Sequence, residues 1–119
     1  MRKYLCLLFL VLLFGISCVP KQETVVVTEL RDFKNVEQLE AWLAKDNTDS
    51  YTYVEGVRQC CWFAHTLQEN AAKDGYLINE EFLVLDAGEG HACNSVVIDG
   101  VVWFVEPQDD TVWEIGVCS

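Results

Sequence analysis

The chain is short of positive charge: 8 lysines and arginines stand against 19 aspartates and glutamates in 119 residues, a net charge of −11. Such a surface repels phosphate backbones, so nucleic acid is excluded as the expected partner. Proline is scarce, at two residues, and there is neither a low-complexity tract nor an internal repeat, which excludes a proline-rich spacer and a repeat array. No apolar run reaches the roughly 20 residues that a membrane-spanning helix needs. No cysteine or histidine pair has the C-x-x-C or H-x-x-x-H spacing of a metal site, so no metal and no cofactor is expected. What is present is 51% hydrophobic and 12% aromatic. That is enough to bury one small core, and the length leaves no room for a second domain.

The N-terminus reads as a targeting segment. Met1-Arg2-Lys3-Tyr4 is a short positive start, and Leu5 to Ile16 is an uncharged apolar run ending in Phe14-Gly15-Ile16-Ser17-Cys18. A small residue directly before a cysteine at the end of such a run resembles the lipobox of bacterial lipoproteins, with Gly15 where leucine is usual. The resemblance implies cleavage before Cys18, lipid on Cys18, and an exported protein anchored to the cell membrane or outer membrane. An ordinary cleaved signal or an uncleaved anchor is the alternative. Loss of Arg2 and Lys3 with the leader would leave 6 basic against 19 acidic residues, or −13. The organisation expected is a signal peptide over 1–17, a tether over 18–34 and one domain over 35–119. Thr24 to Leu30 is either a strand or the last of the tether.

Within the domain, Asn35 with Gln38 three positions on and apolar residues at 36, 39, 42 and 43 predicts a helix over about 36–45. Lys45 to Ser50 is a breaker stretch. A second helix is expected over about 57–73, with Cys60, Phe63, Leu67 and Ala71 on one stripe and Gly75 placed to stop it. The period then changes to two. Strands are expected over 76–85, 91–98 and 101–106, with a shorter one over 111–115, and Asp99-Gly100 makes a hairpin turn. Helices followed by an antiparallel sheet define an α+β fold in which N-terminal helices pack on a small sheet.

A two-residue turn at Asp99-Gly100 pairs Ile98 with Val101 and, by extension, Cys93 with Glu106. His91, Cys93 and Ser95 then share a face with Glu106, which sits diagonally beside His91 within side-chain reach. A carboxylate there can hold the ring through one nitrogen and leave the other free as a base. Cys60, at the start of the long helix and on its core-facing stripe, is the candidate nucleophile, because a helix N-terminus favours a thiolate. Cys61, turned about 100° away, is the lesser candidate. A helix packed on this sheet is expected to aim Cys60 at the His91 face.

Cys60-Cys61-Trp62-Phe63-Ala64, Leu67 to Ala71 with Gly75, Gly90-His91-Ala92 and Trp103 to Pro107 together resemble the compact core of transglutaminase-like proteins, within the wider papain-like cysteine hydrolase group. The likeness covers about Tyr51 to Ile115. It implies Cys60 as nucleophile, His91 as general base and Glu106 as orienting acid, 15 residues after the histidine and before a proline, where the family carries Asp. The reaction implied is hydrolysis or transamidation of an amide or ester in a peptide or protein. Backbone N–H groups at Cys60, with Gln59 as a side-chain candidate, would hold the oxyanion, and Gln108 would line the cleft. Gln59 to Ala64 also resembles the opening of CHAP amidases, which cut cell-wall peptides. Only 31 residues separate Cys60 from His91, short for that family. The gap implies a shallow cleft or one completed by a protein partner.

Bland readings stand beside these. Cys60, Cys61, Cys93 and Cys118 in an exported chain invite disulfides, and one that used Cys60 would remove the nucleophile. Cys93 can equally be a quiet core thiol. His65 reads as solvent-facing, the four tryptophans as core or rim packing, and Gly88-Glu89-Gly90 as a loop. A non-catalytic binding module of the same fold is the alternative to an enzyme.

Overall fold

The computed structural model describes residues 29–117, so the expected leader, Cys18, most of the tether and Cys118 lie outside the described residues. Asn35 caps the first helix, α1 (Val36–Lys45), by accepting from the backbone N–H of Gln38 at 2.8 Å. The Gln38 side chain reaches back to accept from Lys34 N–H, a variant of the capping box. Leu39 and Leu43 face inward. After α1 the chain makes a short 3₁₀ turn (Thr48–Ser50).

The second helix, α2 (Cys60–Lys73), starts three residues later than the periodicity suggests. Val54 and Arg58 exchange two backbone hydrogen bonds, and that closed turn uses the residues expected to begin the helix. Gly75, at φ +84°, ends α2 in the left-handed region, and Tyr76 N–H returns to the Ala71 carbonyl. The first strand is likewise shorter than expected. Tyr76 pairs in a parallel bridge with Arg31, and β1 occupies only Asn79–Val84.

Three more strands follow: β2 (Gly90–Ile98), β3 (Val101–Glu106) and β4 (Thr111–Val117). They form an antiparallel sheet in the order β1-β2-β3-β4. Asp99 and Gly100 take φ values of +50° and +75°, the twist that a two-residue hairpin requires, and Ile98 pairs with Val101 as expected. A β-bulge interrupts the β3–β4 register at Val102/Trp103. The fold is α+β.

One face of the sheet meets the helices. Ile78, Val96, Ile98 and Val105 form a cluster with Phe33, Leu39, Leu43, Leu67 and Ala71, and Trp42, Tyr76, Trp103 and Val112 pack at its margin. Asn94, fully buried on this same face, donates to the carbonyls of Ala64 in α2 at 2.9 Å and Asn79 in β1 at 3.2 Å. Strand alternation therefore assigns Ala92, Asn94, Val96 and Ile98 to the helix side, and His91, Cys93, Ser95 and Val97 to the other.

Candidate functional site

His91 is the second residue of β2, opposite Leu83 of β1. On its other side, the β2–β3 pairing runs from Ile98/Val101 to Asn94/Val105, and one further step sets Glu106 across from Cys93. Glu106 is thus diagonal to His91, and the side chains meet: His91 Nε2 lies 2.6 Å from Glu106 Oε2. An ionised carboxylate only accepts, so Nε2 carries the proton and donates, which leaves Nδ1 as the unprotonated nitrogen of a neutral ring. The pair is partly shielded, with the two side chains 26% and 19% exposed. The second carboxylate oxygen of Glu106 accepts from the Gln108 backbone N–H at 3.3 Å. Gln108 thus meets the Glu106 carboxylate through its main chain. Pro107, just before it, is fully buried.

Cys60 is the first residue of α2 and is half-buried. Gln59 is the N-cap residue, and its side chain makes no capping hydrogen bond. Ala64 lies beside Asn94, and Leu67 and Ala71 pack with Val96 and Ile98, so α2 runs in the same direction as β2. Cys60, one turn before Ala64, is consequently at the His91 end of the sheet. The expectation that α2 packs on the His91 face is not met. The Asn94 hydrogen bond to Ala64 fixes α2 against the opposite face, while the His91–Glu106 pair leaves the sheet on the far side. At the level of His91, β3 has already turned away at Pro107, so among the described residues β1 is the only strand flanking β2 there. The structure brings His91 and Glu106 together and sets Cys60 at the same end, on the neighbouring layer.

The thiols among the described residues are accounted for. Cys60, Cys61 and Cys93 are all free, so none of the three is spent in a disulfide. Cys93 is fully buried beneath the His91 face, and its thiol is pushed up to about 11, first by burial and then by the charges of Glu106 and Glu81. It is a quiet core thiol, protonated at neutral pH. Cys61 is exposed, and its thiol is also shifted upward, by desolvation first and by the adjacent Cys60 next.

Two acid-paired groups were not read from the sequence. Ser95 Oγ donates to Glu81 Oε1 at 2.8 Å on the His91 face. His65, exposed as expected, sits between Glu80 at 2.7 Å and Glu69 at 3.1 Å, which raise its pKa. Asn94 was missed too, because residues 92–96 of β2 are buried on both faces and no local signal marks it as the link to α2. An open depression of about 400 Å³, lined by Trp42, Lys45, Asp46, Asn47, Asn70, Lys73 and Asp74, holds none of the candidate residues. Among the described residues, no group of three or more His, Cys, Asp and Glu side chains is arranged to hold a metal ion.

The site defines a class no finer than an α+β domain carrying a histidine–carboxylate pair and a free cysteine at a helix start. Comparison with family models, with curated proteins and with solved structures finds no match to this chain.

Proposed function

We propose that this chain is an exported, lipid-anchored thiol hydrolase or acyltransferase with a transglutaminase-like core, acting on an amide or ester of a peptide or protein. The observation that carries the reading is the 2.6 Å bond between His91 Nε2 and Glu106 Oε2. It holds one tautomer and leaves Nδ1 free to take a proton. In this reading the Cys60 thiol proton reaches Nδ1 through a water at the β2 edge that β3 leaves open beside His91, and the thiolate attacks the carbonyl carbon. The N–H at the start of α2 holds the oxyanion. Collapse of the adduct expels the amine or alcohol, which leaves with the proton from His91. Water or a second amine then resolves the thioester. Export and anchoring rest on the leader and on Cys18. Among the described residues, no helix is long and apolar enough to cross a membrane.

The test is acylation by an activated ester such as p-nitrophenyl acetate, followed by intact mass and peptide mapping. The proposal expects one acetyl group on Cys60 that turns over, loss of the adduct in Cys60→Ala, and at least tenfold slower formation in His91→Ala. Acetylation elsewhere, or none, would overturn it. A second reading, a non-catalytic binding module, draws on the position of α2 against the sheet face opposite His91. Release of peptides from purified cell wall would narrow the enzyme to an amidase.

A further inference from the structure

Arg58 is the only arginine in residues 35–119, and it stands two positions before Cys60. In a chain where acids outnumber bases by more than two to one, a carboxylate partner for it would be easy to supply, yet among the described residues Arg58 forms no salt bridge. Its Nε is buried without a hydrogen-bond partner. The side chain is nevertheless held in place. Its guanidinium lies 5.7 Å from the ring centroid of Tyr51 and 6.0 Å from that of Trp62, and the two rings themselves meet edge-on at 5.2 Å. The backbone is pinned as well, since Arg58 N–H donates to the Val54 carbonyl at 2.7 Å and its own carbonyl accepts from Val54 N–H at 3.0 Å. Trp62 belongs to the first turn of α2, so this shelf is built onto the element that carries Cys60.

We infer that Arg58 is a specificity-determining residue for the reaction at Cys60, selecting acyl substrates that carry a carboxylate close to the scissile bond. The inference rests on the proposed thiol chemistry and deepens it. An arginine braced on aromatic rings has little side-chain freedom left to lose and presents a planar fork matched to a carboxylate. The surrounding acidic surface repels anions generally, so a single uncommitted guanidinium supplies local selection where the global field gives none.

The probe is a pair of alkylating reagents, iodoacetate and iodoacetamide, which differ in charge. The Cys60 thiolate displaces iodide from either, and the rates are followed by peptide mapping of Cys60 in the intact chain. The ratio of the two rates on one protein cancels any change in thiolate fraction. The ratio for the native protein should exceed that of Cys61 in the same molecule, fall about tenfold in Arg58→Gln and fall about threefold in Arg58→Lys, which keeps the charge and loses the fork. An unchanged ratio in Arg58→Gln, or equal ratios at Cys60 and Cys61, would overturn the inference. Failure of the thiol proposal reads differently: Cys60 would then react with iodoacetamide no faster than Cys61, while the charge ratio could still be measured.

Discussion

Asp110 shows how a single side chain is set by its surroundings. It sits in the left-handed region at φ +62°, its Oδ1 is buried without a partner, and its pKa is pushed up to about 6, by burial first and then by Asp49, Asp46 and Asp109. A carboxyl whose folded pKa lies above its unfolded value binds more protons when folded. It therefore favours folding below about pH 4, and that contribution is lost as pH rises through about 6. Asp110→Asn keeps the short polar side chain that tolerates this backbone and removes the charge. The variant should be more stable than the native chain at pH 7 by about 1 kcal/mol, a figure reduced for partial exposure, and the advantage should shrink toward pH 4. Urea midpoints at pH 4, 5.5 and 7 measure this, and a difference independent of pH would contradict it. At the same scale, Glu106→Gln keeps the shape but weakens the charge-assisted bond to His91. It should slow acylation of Cys60 by about tenfold, with less effect than His91→Ala.

At the scale of elements, local signals were the legible ones. The Asn35 cap, the Gly75 stop and the Asp99-Gly100 turn each act within a few residues, and each fell where turn and capping chemistry put it. Because the turn sets the register, the Glu106 position beside His91 was readable as well. The packing side of α2 was not. Residues 92–96 of β2 are buried on both faces, so no alternation of polar and apolar residues marks the face the helix takes. That choice is recorded instead by Asn94, whose amide links α2 to β1. Asn94→Ala should therefore cost about 2–3 kcal/mol, since two hydrogen bonds that tie α2 to the sheet are lost and a small cavity opens in the core. Asn35→Ala should cost about 1 kcal/mol. Thermal or urea unfolding ranks the two, and an Asn94→Ala variant no worse than Asn35→Ala would undo the account of how α2 is seated.

The whole molecule is an acidic α+β domain whose charge works against its own compaction. With a net charge of −11, screening should stabilise it: raising salt from about 0.05 M to 0.5 M, which shortens the Debye length from about 14 Å to about 4 Å, should raise the melting temperature. The most direct test of the central claim, that Cys60 and His91 act as one unit, is the pH dependence of Cys60 alkylation by iodoacetamide, residue-resolved, in native protein and in His91→Ala. The account predicts that Cys60 is labelled faster than Cys61 from about pH 6 to pH 8, and that His91→Ala slows Cys60 by about tenfold there and changes the shape of its profile. Superimposable profiles, or faster labelling of Cys61 than of Cys60, would contradict it.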